Sequence, residues 1–136
     1  MPRILVVDDD DPIRESIRLA LDIIGIEVVA VESGERALEA FGWVPFDGAI
    51  VDLMMPGMNG LETIRALRNR APDLPVIVIS GSLMQAGSGV PDLLRAATEM
   101  HGVTSLAKPF KLSDLLRIAR ATFTAQPQHP ATKPAA

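Results

Sequence analysis

Five polar residues that could carry chemistry each follow a short apolar run: Asp8, Asp9, Asp52, Ser80 and Lys108. Apolar runs of this kind are typical of strands that are buried on both faces of a parallel sheet. Because the carboxyl ends of parallel strands open onto one crevice, we expect these five side chains to lie close together there.

The three carboxylates of this set, Asp8, Asp9 and Asp52, would repel one another in such a crevice. Two like charges about 4 Å apart repel by roughly 4 kcal/mol at an effective dielectric constant of 20. A cation would remove this repulsion. The chain has no cysteine, and neither of its two histidines has a partner at ligand spacing. Oxygen ligands alone favour a hard ion, and the sequence therefore predicts Mg²⁺ bound by these acids.

Lys108 and Ser80 add the groups that phosphoryl chemistry needs. The ammonium group of Lys108 can pair with Asp52 at rest and with a phosphoryl group later, and Ser80 offers a hydroxyl donor. Mg²⁺ is a standard partner of phosphoryl oxygens, and backbone N–H groups after Asp52 would meet the remaining charge. Together these groups predict covalent transfer of a phosphoryl group to the Asp52 carboxylate.

The elements that must position these residues alternate along the chain. Strands are predicted at 4–7, 28–31, 49–52, 76–79 and 103–107. Apolar residues at steps of three and four predict helices after each strand, the first following Pro12 with Asp11 as its cap, and the fourth over Leu93 to Met100. This pattern predicts an α/β fold, a doubly wound (βα)5 flavodoxin-like three-layer sandwich with a parallel five-stranded sheet in the order 2-1-3-4-5.

The composition narrows the class of protein. A chain of 136 residues with 48% apolar and 22% charged residues fits one folded domain, which we expect over residues 1–124. Residues 125–136 contain three prolines and no apolar periodicity, so we expect a disordered tail. The net charge of −4 argues against direct binding to nucleic acid. The sequence shows neither a signal peptide nor a membrane span, and we expect a cytoplasmic protein.

Four segments in order and at consistent spacing resemble the receiver domain of two-component response regulators: ILVVDDDDPIR, VDLMMPGMNGLE, VIVISG and LAKPF. The resemblance runs from about Arg3 to Phe123. It implies that Asp8, Asp9 and Asp52 bind Mg²⁺ together with the backbone carbonyl of Met54, Asp9 being a more direct ligand than Asp8.

The resemblance also implies the roles of the phosphoryl-handling residues. Asp52 would be the phosphoacceptor, Ser80 would hydrogen-bond the phosphoryl group, and Lys108 would be the family's lysine, followed by a proline in a cis peptide bond. The implied donor is a phosphohistidine on a sensor histidine kinase or a phosphotransfer protein. A stand-alone receiver of this kind, with no output domain after Phe123, would signal by binding a downstream protein as a monomer or weak dimer. It would be no enzyme beyond its own phosphorylation and dephosphorylation.

Two departures from the family pattern concern the output face. Ser105 stands where the family usually has Tyr or Phe, so the aromatic switch coupled to Ser80 cannot operate in its usual form. The segment from Ser80 to Val90 is long and rich in Gly and Ser, which predicts a flexible loop. A receiver-like scaffold that works without phosphorylation therefore stays open as an alternative.

Two further functions compete with the receiver hypothesis. A Mg²⁺-dependent aspartyl-phosphate hydrolase usually needs an acid two residues after its nucleophile, and Met54 occupies that place. A flavodoxin-like module for a nucleotide or flavin would need a Gly-rich cradle, which the acidic turn after Val7 lacks. Asp10 and Asp11 are interpreted as loop and helix cap, with Arg14 either a partner of one of them or solvated.

Overall fold

The computed structural model describes residues 1–81 and 89–124, in which strands and helices alternate. The five strands are β1 (Arg3–Val7), β2 (Glu27–Val31), β3 (Gly48–Asp52), β4 (Val76–Ser80) and β5 (Val103–Ala107). The helices are α1 (Asp11–Ile23), α2 (Gly34–Phe41), α3 (Gly60–Arg70), α4 (Val90–Thr98) and α5 (Leu112–Ala119), followed by a π-helical turn, Arg120–Thr124. Most of the predicted flexible loop and the whole predicted tail lie outside the described residues.

All strand pairs are parallel, and the sheet order is β2-β1-β3-β4-β5. Every residue of β3 and β4 is buried, as the continuous apolar runs predict for strands that are covered on both faces. One apolar core lies between the sheet and α1 and α5, and the other lies between the sheet and α2, α3 and α4. The predicted fold class and strand order are confirmed.

The first helix begins differently from the prediction. The side chain of Asp10, not Asp11, caps α1 by accepting a hydrogen bond from the backbone N–H of Ile13 at 3.1 Å. Asp11 is the first residue of the helix, and Pro12 lies in the first turn, where its missing N–H costs nothing. Two adjacent aspartates precede the proline, and the sequence alone does not distinguish which of them takes the cap.

The fourth helix begins at Val90, three residues earlier than predicted. Its N-terminal cap is Gly89, which has a left-handed backbone (φ 84°) and no side chain to signal a helix start. Val90 is buried, so the first helical residue already belongs to the core. The helix ends at Thr98 rather than Met100.

A close approach of two backbones sets the start of α3 against the end of β3. A Cβ on Gly60 would lie 2.3 Å from the carbonyl oxygen of Asp52, a distance at which no side chain is tolerated. The N–H of Gly60 donates to the carbonyl of Leu53 at 2.8 Å. On either side of Gly60, Asn59 and Glu62 form a capping box, so that each side chain accepts from the other's backbone N–H.

The only tryptophan of the chain, Trp43, lies in the connection between α2 and β3. Its side chain is 81% exposed, so it does not cover a neighbouring element. That connection precedes β3, and it therefore lies at the edge of the sheet opposite to the carboxyl end of the strand. Among the described residues, no helix is long and apolar enough to cross a membrane.

Candidate functional site

The sheet brings the predicted site residues to one edge. Asp52 and Ser80 are the last residues of β3 and β4, and Asp8 and Lys108 directly follow β1 and β5. The backbone N–H of Lys108 donates to the carbonyl of Ser80 at 2.7 Å, which extends the β4–β5 ladder to the lysine. The peptide bond between Lys108 and Pro109 is cis, as the resemblance implied.

Three carboxylates meet at this edge. One oxygen from each of Asp8, Asp9 and Asp52 lies within 4.8 Å of the others. Asp8 is fully buried and Asp52 is 4% exposed, whereas Asp9 faces solvent. The three acids thus form a cluster that opens outward on the side of Asp9.

Among the described residues, one ammonium group, that of Lys108, pairs with the two buried acids. Nζ of Lys108 lies 3.3 Å from Oδ2 of Asp8 and 3.5 Å from Oδ2 of Asp52. The predicted resting pair between Lys108 and Asp52 is therefore present, and Asp8 shares it. One positive charge facing two buried negative charges leaves the site with an excess of negative charge.

Burial, more than this excess of charge, shifts the protonation of the acids. Burial and, after it, the charge of Asp8 raise the pKa of Asp52 to about 6, against the opposing effects of Lys108 and the backbone N–H of Met54. Burial likewise raises the pKa of Asp8, against the N–H of Asp10 and Lys108. Burial lowers the pKa of Lys108, but Asp52 and Asp8 outweigh that effect, so its pKa lies above its usual value.

The cluster fits a hard divalent cation. Oδ1 of Asp8 accepts the N–H of Asp10 at 2.9 Å. Oδ2 is buried and has the Lys108 ammonium 3.3 Å away, but it accepts no well-directed hydrogen bond from any described residue. A buried carboxylate oxygen without such a donor is costly, and a metal ion would supply the missing partner. The cluster thus offers the oxygen ligands that a Mg²⁺ ion would need at this site.

An apolar groove of about 520 Å³ adjoins the lysine, and the sequence did not predict it. Its walls come from the start of α1 and from the segment between β5 and α5; the lining residues are Ile13, Ser16, Lys108, Pro109, Phe110 and Leu112. The side chain of Leu112 is 48% exposed there. The only feature of the sequence that could have indicated the groove is Leu112, an apolar residue at a helix start close to Pro109.

Ser105 is exposed in β5, next to Val78 of β4. It carries no aromatic ring, so the structure has no aromatic side chain at this position of β5, where the family usually has Tyr or Phe. Arg14, for which the sequence left two interpretations open, is an ion-pair partner of Asp11.

The sequence profile described as "Response regulator receiver domain" matches residues 4–120. The chain belongs to the response regulator receiver family. Receiver domains are signalling proteins of two-component systems, and the predicted family and function class are confirmed at this level.

Relatives support the same assignment. Response regulator MprA of Mycolicibacterium vanbaalenii is 38% identical over 119 residues, which cover 88% of this chain and 49% of the relative. The MprA protein of Mycobacterium ulcerans is 39% identical, with the same coverage. The receiver chain thus spans about half the length of the curated relatives that it matches.

Solved structures agree on the receiver fold. The chemotaxis protein CheY4 of Vibrio cholerae superimposes with a TM-score of 0.78 at 27% identity, covering 90% of this chain and 98% of that one. NtrX of Brucella abortus gives a TM-score of 0.79 at 26% identity, covering 90% of this chain and 27% of that one.

Proposed function

We propose that Asp52 accepts a phosphoryl group from a phosphohistidine of a sensor histidine kinase or phosphotransfer protein, in a Mg²⁺-dependent reaction. The observation that carries the proposal is the buried Asp52 carboxylate with the Lys108 ammonium 3.5 Å away and two further carboxylates beside it. Signalling then proceeds by binding a downstream protein. In this role the receiver acts in the cytoplasm, as a monomer or weak dimer with its folded unit over residues 1–124.

The transfer step follows from the charges of the site. A carboxylate oxygen of Asp52 forms a bond to phosphorus while the bond between phosphorus and the imidazole nitrogen of the donor breaks, and the leaving nitrogen takes up a proton. With a pKa of about 6, Asp52 is mostly ionised at pH 7.5 and available as the nucleophile. Lys108 can turn from Asp52 to the transferred phosphoryl oxygens, and the Ser80 hydroxyl donates to the same group.

Asp8, Asp9, Asp52 and the backbone carbonyl of Met54 would hold Mg²⁺. When bound, this ion would neutralise charge that develops on the phosphoryl oxygens. The buried Oδ2 of Asp8, which lacks a well-directed hydrogen bond from the described residues, is the feature of the structure that supports this part of the proposal.

The donor protein must reach a carboxylate that is almost completely buried, so it has to pack closely beside Lys108. The apolar groove next to this lysine supports an approach from that side, because Lys108 itself lines the groove. A helix that carries the phosphohistidine and an apolar residue for the contact with Leu112 is the occupant we propose.

Intact mass spectrometry tests the proposed function. After incubation with Mg²⁺ and acetyl phosphate, we expect the mass to increase by one phosphoryl group, and hydroxylamine should remove it, as expected of an acyl phosphate. Asp52→Asn, which keeps the shape of the side chain, should gain nothing. No gain in the native chain, or a gain that survives Asp52→Asn, would contradict the proposal.

Two alternatives make different predictions. A phosphorylation-independent scaffold is favoured by one observation, the exposed Ser105 in place of an aromatic switch, and its partner would bind equally well with and without phosphorylation of Asp52. A phosphate-ester hydrolase is disfavoured because Met54, at the position of the usual acid, offers no proton. Steady turnover of a chromogenic phosphate ester would support the hydrolase.

A further inference from the structure

Arg14 makes the contact that best connects the first helix to the acidic cluster. Its Nη1 donates to the backbone carbonyl of Asp8 at 2.7 Å, and its guanidinium also pairs with Asp11. The Arg14 side chain is only 19% exposed, unlike that of Arg18 one turn later, which is 44% exposed. A charged side chain that is held this far from water has a specific partner, here a carbonyl at the end of β1.

The carbonyl of Asp8 lies where the strand ladder stops. The N–H of Asp8 still donates to Val31 of β2 at 3.2 Å, but β1 ends at Val7. Arg14 therefore supplies a donor to the Asp8 carbonyl, just beyond the end of the strand. A charge-assisted hydrogen bond of this length is among the stronger ones in proteins.

The backbone of residue 14 contacts the other side of Asp9, and the side chain adds the contact with Asp8. The backbone N–H of Arg14 donates to the carbonyl of Asp10 at 3.0 Å, and the N–H of Asp10 donates to Oδ1 of Asp8 at 2.9 Å. Asp9 thus lies between two residues that Arg14 contacts, one through its side chain and one through its backbone. Because the peptide group is planar, fixing the Asp8 carbonyl also fixes the positions of the backbone N and Cα of Asp9.

We propose that Arg14 is a positioning residue that holds Asp9 in the orientation required for a divalent cation, an inference that rests on the proposed Mg²⁺ site. The exposed Asp9 side chain has no hydrogen bond or ion pair with any described residue, so its placement depends on the backbone around it. Residues that orient metal ligands in this way typically change metal affinity by about 10- to 100-fold when they are removed.

Simple electrostatics predicts the opposite sign. Removing a positive charge next to an acidic cluster makes the cluster more negative, which should bind Mg²⁺ more tightly. The positioning role predicts weaker binding, because Asp9 would no longer be held toward the ion. The direction of the change therefore separates the two explanations.

Arg14→Met tests the inference, because it removes the donors and the charge but keeps an apolar stem. Arg18→Met is the matched control: Arg18 lies on the same helix and pairs with an acid three residues earlier, Glu15, as Arg14 pairs with Asp11. Asp11→Asn removes the ion pair and leaves the carbonyl contact in place. Cooperative thermal unfolding of each variant checks that it is folded.

Mg²⁺ titration by calorimetry should show about tenfold weaker binding for Arg14→Met and little change for Arg18→Met and Asp11→Asn. In phosphorylation by acetyl phosphate, the Mg²⁺ concentration for half-maximal rate should rise while the rate at saturating Mg²⁺ stays near that of the native chain. Arg14→Lys keeps one donor and should recover part of the affinity. Unchanged or tighter Mg²⁺ binding by Arg14→Met, or an equal loss in Arg18→Met, would overturn the inference.

Hydrogen exchange provides a second measurement that needs no metal. In the metal-free protein, the amides of Asp10 and of residue 14, each corrected for its intrinsic exchange rate, should exchange about tenfold faster in Arg14→Met than in Arg18→Met, because their acceptors lose a fixed position. Equal exchange in the two variants would refute the positioning role, even if Mg²⁺ binding failed in the native chain. Failure of the native chain to bind Mg²⁺ would instead contradict the proposed function.

Discussion

The ammonium group of Lys108 lies 3.5 Å from the carboxylate of Asp52, across the edge of the sheet where β3 and β5 end. The same ammonium lies 3.3 Å from Asp8. The lysine therefore neutralises only part of the buried negative charge. The remaining charge favours the binding of one more cation. Stability, ion binding and phosphorylation should all reflect this imbalance.

The burial of Asp52 and, after it, the charge of Asp8 predict an unusual dependence of stability on pH. The pKa of Asp52 is about 6 in the folded state, against 3.8 for an unperturbed aspartate, so the folded protein binds more protons than the unfolded chain between these values. Stability from this group is therefore present at low pH and declines as the pH rises through about 6. A shift of this size corresponds to up to about 3 kcal/mol.

Asp52→Asn should remove that decline. In metal-free buffer, the variant's gain in unfolding free energy over the native chain should be larger at pH 7.5 than at pH 4, by about 1–3 kcal/mol. Urea unfolding at the two pH values measures it. Asp22→Asn, an exposed residue of α1, controls for a general change in net charge. An equal effect of Asp52→Asn at both pH values would contradict the prediction.

Mg²⁺ should stabilise the folded chain through Asp9 far more than through Asp11. At a free concentration ten times the Kd, a ligand that binds only the folded state adds about 1.4 kcal/mol. Asp9→Asn should lose most of this stabilisation, whereas Asp11→Asn should keep it, because Asp11 is a helix residue that pairs with Arg14. Thermal unfolding with and without Mg²⁺ measures both. Equal losses in the two variants would show that Asp9 and Asp11 contribute equally to Mg²⁺ binding, which contradicts the prediction.

Gly60 should not tolerate a side chain. Its Cβ position lies 2.3 Å from the Asp52 carbonyl oxygen and 2.6 Å from the Cα of Leu53, so Gly60→Ala must push α3 away from the strand end. We expect a loss of about 2–4 kcal/mol in unfolding free energy, as for severe overpacking. Urea unfolding of the variant and the native chain measures the loss.

Gly42→Ala is the matched control for this substitution. Gly42 has an ordinary φ of −81° and its Cβ position is no closer than 3.5 Å to the nearest atom outside its chain neighbours. It should change stability by less than about 0.5 kcal/mol. Equal effects of the two alanines would refute the close approach.

The groove beside Lys108 should matter to a protein donor and not to a small one. Leu112→Asp places a charge in the apolar groove and should slow phosphotransfer from a phosphorylated histidine phosphotransfer protein by about tenfold or more. Acetyl phosphate does not need the groove, so its rate should be unchanged. Ser113→Asp, an exposed neighbour on the same helix, controls for added charge. Loss of both rates in Leu112→Asp would indicate damage to the site instead.

The strands and the meeting of the acids could be predicted from the sequence because both follow from local patterns. Continuous apolar runs indicate strands covered on both faces, and in a parallel sheet the residues that end them share an edge. Asp8, Asp52 and Lys108 could therefore be placed from the sequence alone. Cap residues were harder, since Asp10 and Asp11 have the same side chain, and only the hydrogen bond to Ile13 distinguishes them.

Contacts that depend on three-dimensional placement could not be predicted. The start of α4 has no side-chain signal, because its cap is a glycine. The contact between Arg14 and the Asp8 carbonyl depends on how α1 packs against the end of β1, and the groove at Leu112 depends on two segments that lie far apart in the chain. Such features follow from the assembled sheet and not from any one stretch of sequence.

The exposed Trp43 has a practical consequence for studying this protein. Its indole is surrounded by water at the edge of the sheet opposite to Asp52, so its fluorescence should change little when an ion or a phosphoryl group binds. A titration followed by intrinsic fluorescence would then look like no binding even when the site is full. The same indole is a convenient place for a surface label, because a probe attached there should leave the acidic cluster undisturbed.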